Sequence, residues 1–278
     1  MYNANGDQFL NIKVNMNAAL TRLKVLPEKN YLATVSGNYV DIFDTTQLIR
    51  LITYSGHESN VLGLEYINNA TLASSDSGAS IHIWNSDSGS SILIIDLPRE
   101  NANCLQLLNT SILASGQDTG SIKLWNITNG TLISTISNLY SMQAVNDLEL
   151  INDQVLASSN SDSYIYIWHW PTQSFISTLT GHTSAVYALK RLTSSIMASG
   201  SDDTHIIIWD LTTGTSSHTL MGHTDAIRYS LELYDDQTLV SASYDQTVKL
   251  WSIETGSLIQ SFDTNQSLNA LATLGICD

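Results

Sequence analysis

Met197-Ala198-Ser199-Gly200-Ser201-Asp202-Asp203-Thr204-His205-Ile206-Ile207-Ile208-Trp209-Asp210 is one of several copies of a single pattern. Leu72–Asn85 reads LASSDSGASIHIWN and Leu113–Asn126 reads LASGQDTGSIKLWN. Leu156–His169 reads LASSNSDSYIYIWH and Leu239–Ser252 reads LVSASYDQTVKLWS. A weaker copy, LATVSGNYVDIFD, spans Leu32–Asp44 with Phe43 in the tryptophan place. The aromatic recurs at 43, 84, 125, 168, 209 and 251, a period of 41–43 residues. A fixed period of that length marks a repeat architecture.

Each period holds four short apolar segments separated by turn residues. In the fifth copy these are Ala185–Leu192, Ile196–Ser201, His205–Trp209 and a segment around Ser217–Leu220. Such lengths suit strands and are too short for ordinary helices. The expected fold is therefore all-β, with four antiparallel strands per period. A lone four-stranded sheet cannot bury both faces. Radial stacking of the copies buries both, which explains third strands such as Ile206-Ile207-Ile208 that are apolar on both sides.

Outward from the repeat, the bulk properties agree with one packed domain spanning residues 1–278. Apolar residues make up 43% of the chain, enough for a large core, and 3 prolines and 15 glycines argue against a disordered tail. The net charge of −15 disfavours nucleic acid, whose binding depends on phosphate neutralisation, and anionic membrane surfaces. It favours a basic protein or peptide partner. Cys104 and Cys277 lie far apart and read as free thiols in a reducing compartment, so the expected localisation is cytoplasmic. No apolar run approaches the ~20 residues needed to span a bilayer.

The repeat resembles the WD40 repeat of β-propellers, in which Gly-His precedes Trp-Asp by about 27 residues. Gly56-His57, Gly181-His182 and Gly222-His223 match the first dipeptide, and Trp209-Asp210 matches the second in full. Trp84-Asn85, Trp125-Asn126, Trp168-His169 and Trp251-Ser252 keep its tryptophan. The resemblance implies a seven-bladed plan. Six blades are complete: 17–53, 60–97, 101–136, 144–179, 185–220 and 226–262. Ser267–Leu274 resembles a first strand and Phe9–Val14 a fourth, so both chain ends are expected to share an incomplete last blade. Two missing strands at ~4.8 Å spacing would leave a gap of ~14 Å. The chain is therefore expected to be a fragment or an incomplete product.

His182, Ser199 and Asp203 beside Trp209 offer the residue types of a catalytic triad. The same types recur as His223, Ser241, Asp245 and Trp251, whereas an enzyme needs one nucleophile. In the family the four side chains form a structural tetrad from indole through hydroxyl and imidazole to carboxylate. The tetrad is expected to be incomplete elsewhere. Gly78 stands in the aspartate place of the second blade, the third has Ser115 and Trp125 without a histidine, and the fourth has Ser158, Asp162 and Trp168 without one. Phe43 cannot donate a hydrogen bond in the first. The fifth and sixth blades are thus expected to be the most rigid.

No metal site, nucleotide loop or cofactor is expected, because H-x-x-x-H, C-x-x-C and phosphate-loop spacings are missing. Trp170, just past the blade motif, reads either as a recognition residue or as a cover for its own loop. In WD40 propellers the narrower face is the common docking surface. Mapped onto this chain it implies Thr21, Leu62, Asn103, Asn146, Tyr187, Arg228 and Asn269, with Asp118, Asp202 and Tyr244 beside them. The expected function is a non-catalytic, monomeric protein- or peptide-binding scaffold, with the recognition part of a larger protein as a variant of that reading. The alternative is an enzyme with a hydrolase or metal site in the central channel.

Overall fold

The computed structural model describes residues 20–137, 142–228 and 231–264, with the backbone alone at 20, 21 and 27. Among them the protein forms six four-stranded antiparallel sheets, each with its strands in chain order. The first sheet holds β1 (Leu20–Leu26), β2 (Tyr31–Ser36), β3 (Tyr39–Asp44) and β4 (Ile49–Tyr54). The second holds β5 (Val61–Asn68), β6 (Thr71–Asp76), β7 (Ser80–Asn85) and β8 (Ser91–Asp96). The third holds β9 (Ala102–Leu107), β10 (Ile112–Gln117), β11 (Ile122–Asn126) and β12 (Leu132–Ile136). The fourth holds β13 (Val145–Asn152), β14 (Val155–Asn160), β15 (Ile165–His169) and β16 (Ser174–Leu179). The fifth holds β17 (Val186–Arg191), β18 (Ile196–Ser201), β19 (Ile206–Asp210) and β20 (Thr215–Leu220). The sixth holds β21 (Leu231–Asp235), β22 (Thr238–Ala242), β23 (Thr247–Ser252) and β24 (Leu258–Asp263).

The six four-stranded sheets among the described residues are the blades of a β-propeller. The last blade expected from Ser267–Leu274 and Phe9–Val14 lies outside them, so the seven-blade plan stands only as an expectation. Consecutive sheets pack face to face. One apolar cluster joins Ile165, Ile167 and Leu179 of the fourth sheet to Val186, Met197, Ile207 and Trp209 of the fifth. Similar clusters lie between each other consecutive pair. The third strands are therefore buried on both faces, as their unbroken apolar runs require.

Two local devices repeat in phase. The register between third and fourth strands slips at every motif aromatic: Phe43, Trp84, Trp125, Trp168, Trp209 and Trp251. Such a bulge re-aims a side chain, and here it accompanies each indole turned into the blade. The turn between second and third strands carries a left-handed residue, at Ala79, Ser163, Thr204 and Gln246 with φ of 64–73°. For β-branched Thr204 this is strained. Asp203 offsets the strain by accepting the His205 N–H at 2.9 Å.

Candidate functional site

In the fifth sheet the Trp209 indole N–H donates to Ser199 Oγ at 2.8 Å. Ser199 Oγ lies 2.7 Å from His182 Nε2, and His182 Nδ1 lies 2.8 Å from Asp203 Oδ2. Indole can only donate and carboxylate can only accept, so the protons run one way, from Trp209 to Asp203. The sixth sheet repeats the set at 2.8, 2.7 and 2.8 Å through Trp251, Ser241, His223 and Asp245. Burial resists ionisation of Asp203 and Asp245. The hydrogen bonds from histidine and from the Thr183 and Thr224 N–H groups outweigh it and hold both carboxyls at about 2. Ser199 and Ser241 are 0% exposed. Both hydroxyls are spent inside the blade, where they satisfy buried polar groups and pin the loop that carries Gly-His.

The second sheet departs from the spacing-based expectation. Its network is complete, because Asp76 rather than residue 78 supplies the carboxylate. His57 Nδ1 donates to Asp76 Oδ2 at 2.7 Å, His57 Nε2 meets Ser74 Oγ at 2.6 Å, and Trp84 donates to Ser74 Oγ at 3.1 Å. Residues 76 and 78 flank one turn, so a carboxylate on either can reach the histidine. Asp76 also accepts from the N–H groups of Gly78 and Ser80 at 3.0 Å each. The second sheet thus joins the fifth and sixth as the best tied.

This sheet holds a further histidine. His82 stacks on His57 with ring centroids 3.9 Å apart, and its Nδ1 lies 2.8 Å from Tyr54 Oη. His57, Asp76 and His82 are the one group of metal-ligating types gathered among the described residues. Their near atoms are engaged: His57 with Asp76 and Ser74, His82 with Tyr54.

The remaining sheets fill the histidine's place from within. Gln117 donates to Ser115 Oγ at 2.6 Å, and Ser158 donates to Asn160 Oδ1 at 3.3 Å. Asp162, expected in the tetrad, instead accepts from Tyr166 at 2.9 Å. In the first sheet Thr34 stands at the serine position, two residues after the Leu32 that pairs with Phe43, and its buried hydroxyl has no partner. Phe43 has no N–H to offer it.

The second-to-third turns and the fourth-to-first connections lie at one end of every sheet, because each sheet is an up-and-down meander. Those of the rim residues named from the sequence that are described sit at that end, yet they do different things. Asn103 donates its amide to Val145 O at 3.1 Å, and buried Asn146 donates to Val186 O at 2.9 Å. Each therefore latches one sheet to the next. Leu62 offers its carbonyl to Arg22 Nε at 2.8 Å. Arg22 also reaches the carbonyls of Asn103 at 3.0 Å and Asn146 at 3.5 Å, and lies 3.9 Å from Asp147. Sequence reasoning passed over Arg22. Its position two residues from Lys24 on an inner strand was the signal available. Asp118 is exposed at its turn. Thr21 is described by its backbone only, and Asn269 lies outside the described residues. Trp170 is buried and donates to Asp153 O at 3.1 Å, so it ties its loop to the turn between β13 and β14.

Four of the named residues converge. Arg228, between β20 and β21, forks onto Asp202 with Nε and Nη2 at 2.7 and 2.6 Å. Its guanidinium carbon lies 4.3 Å from the Tyr187 ring centre and 5.5 Å from that of Tyr244. All four side chains are half-buried.

All six inner strands surround one cavity of about 110 Å³. That volume has room for a few waters, whereas drug-sized ligands need roughly 300–1,000 Å³. Charges alternate along its wall. Lys24 pairs with Glu65 at 2.5 Å and Lys190 with Glu232 at 2.6 Å. Glu149 accepts the Arg191 N–H at 2.9 Å, and burial pushes its carboxyl up to about 7 despite Lys190 nearby.

Glu149 and His82 oppose each other in pH. Burial and the neighbouring His57 lower His82 from 6.5 to about 4. Between those values the unfolded chain binds the proton more tightly, so His82 makes stability rise with pH. Glu149 titrates at 4.5 when unfolded and about 7 when folded, so it makes stability fall as pH rises through that range. Between pH 4.5 and 6.5 the two contributions partly cancel. Glu149→Gln is expected to steepen the rise of stability with pH, by up to about 1.4 kcal/mol per pH unit, the limit for one proton. His82→Gln is expected to tilt it the other way. Urea midpoints at pH 5 and 6.5 check both; parallel profiles for the three proteins would refute the assignment.

A family model described as WD domain, G-beta repeat matches residues 173–210 and 214–252. The matched segments run from β16 to β19 and from β20 to β23, and carry the two tetrads that keep the repeat's spacing. A search of curated proteins finds no match to the chain.

Proposed function

We propose that this chain, whose WD40 repeats build a β-propeller, is a non-catalytic platform that binds a protein or peptide at the narrow face of the ring. WD40 propellers commonly serve as protein-interaction scaffolds, and fold alone goes no further than that. The observation that carries the reading is the cluster of Tyr187, Arg228 and Tyr244 beside Asp202. Tyrosine and arginine are the types that dominate interface energetics, and here three of them are already ordered by one another. Ordering before contact lowers the entropy lost on binding. Leu62 adds a partly exposed apolar residue at the corresponding end of the second sheet.

The charge of −15 would steer a basic partner toward the ring and keep nucleic acid and anionic membranes away. Asn103 and Asn146 contribute less than their positions suggest, since their amides are donated to neighbouring sheets. The propeller is taken to act as a monomer. Affinity capture with Tyr187→Ala plus Arg228→Ala tests the reading. Partner recovery is expected to fall at least about tenfold, equivalent to the loss of one hot spot. Unchanged recovery with an unchanged urea midpoint would reject the narrow face as the docking surface.

A further inference from the structure

We propose that Asp202, Tyr187 and Tyr244 form a guanidinium-binding slot, filled in the resting protein by Arg228 and taken over by an arginine of a basic partner. The inference rests on the narrow-face reading and names what that face recognises.

The slot has the two features that single out a guanidinium. Asp202 presents both carboxylate oxygens to one side of the group, receiving Nε and Nη2 in a fork. A lysine ammonium is a point donor and cannot complete that fork. The Tyr187 ring supplies a face at stacking distance from the guanidinium carbon, with Tyr244 on its flank.

The walls are positioned by the backbone and do not depend on the arginine side chain. The Asp202 N–H donates to Ala185 O at 3.0 Å, and the Tyr244 N–H donates to Ala226 O at 3.0 Å. Tyr187 lies within β17. Asp202 and Tyr244 sit in the tight turns between β18 and β19 and between β22 and β23, whereas Arg228 comes from the segment that connects two sheets, between β20 and β21. Removing its side chain leaves an acidic notch with an aromatic wall. The notch opens to solvent: the Arg228 and Asp202 side chains are 32% and 22% exposed. An external arginine competes with a tethered one, whose effective concentration is of millimolar order or above. The resting slot is therefore masked against free arginine and yields to a partner that adds other contacts.

Arg228→Ala should unmask the slot. The probes are two blocked tripeptides, Gly-Arg-Gly and Gly-Lys-Gly, titrated by isothermal calorimetry or by tyrosine side-chain NMR shifts. The expected result is arginine-peptide affinity at least about tenfold above wild type and several-fold above the lysine peptide. Adding Asp202→Asn to Arg228→Ala should abolish the gain. Arg228→Lys, which keeps the charge but lacks the fork, should show the same preference with a smaller gain, and serves if the alanine variant is poorly folded. Arginine-peptide affinity equal to wild type in both variants, or equal affinity for the two peptides, would overturn the slot. The narrow-face reading fails differently. It falls if Tyr187→Ala plus Arg228→Ala leaves partner recovery unchanged, whereas lost recovery with no arginine gain in Arg228→Ala removes the slot alone.

Discussion

Arg22→Met is expected to lower stability by about 3 kcal/mol, in the range seen when one member of a buried charged network is removed. The side chain is 14% exposed and belongs to β1, yet its donors serve the carbonyls of Leu62, Asn103 and Asn146 in three other sheets. Methionine fills the volume but leaves those carbonyls without their donor. It also strips the cation from Asp147, whose carboxyl burial already pushes up against the restraint of Arg22. The loss should appear as a lower urea midpoint. Arg22→Lys should recover less than half of it, because one ammonium cannot satisfy carbonyls on three strands with a planar fork. A methionine variant within about 1 kcal/mol of wild type, the scale of an ordinary hydrogen bond, would show that the arginine merely lies across the ring.

Asp76→Ala should cost about as much, roughly 3 kcal/mol, because it orphans a buried His57 N–H and two backbone N–H groups at one stroke. The contrast is with Ser201→Ala. Ser201 occupies the same repeat position in the fifth sheet, where its hydroxyl donates to Ser184 O and accepts from the Asp203 N–H. That loss should be about 1 kcal/mol. Placing the carboxylate where the repeat spacing would have it, with Asp76→Ala plus Gly78→Asp, should restore only part of the stability, because the N–H groups of residues 78 and 80 still lose the Asp76 acceptor and Ser59 must turn aside. A Cβ at 78 would lie 2.9 Å from Ser59 Oγ. Equal losses for Asp76→Ala and Ser201→Ala in urea titrations would sink the assignment.

The recurring tryptophans made the architecture legible. Their period, together with turn residues every few positions, left little besides four short strands per copy, and the described sheets follow that order. Two tetrads were legible for the same reason, since His182 with Asp203 and His223 with Asp245 keep the family spacing. Asp76 was not, because spacing aligns residues along the chain, whereas a side chain at a tight turn can be replaced from two positions away. Arg22 and the Asn103 and Asn146 latches were illegible for a related cause. Their acceptors are backbone carbonyls some 40 or more residues distant, and a carbonyl has no residue identity to read. The cluster around Arg228 was half legible. Its members were each placed on the rim, but their mutual contact needs the distance between two sheets.

Every hydrogen-bonded strand pair in the six sheets joins neighbours in the chain. Among the described residues no strand must wait for a distant partner, so closing each hairpin costs only the entropy of a short loop. Contacts of long sequence separation arise when finished sheets dock, mostly one repeat apart, with the Arg22 bonds to Asn103 and Asn146 reaching further. Such a molecule assembles as a series of small local steps followed by side-by-side docking, closer to a one-dimensional array than to a sandwich with interleaved strands. Damage is contained in the same way. A blade whose inner network fails loosens its two neighbours first, and the strands beyond them keep all their partners.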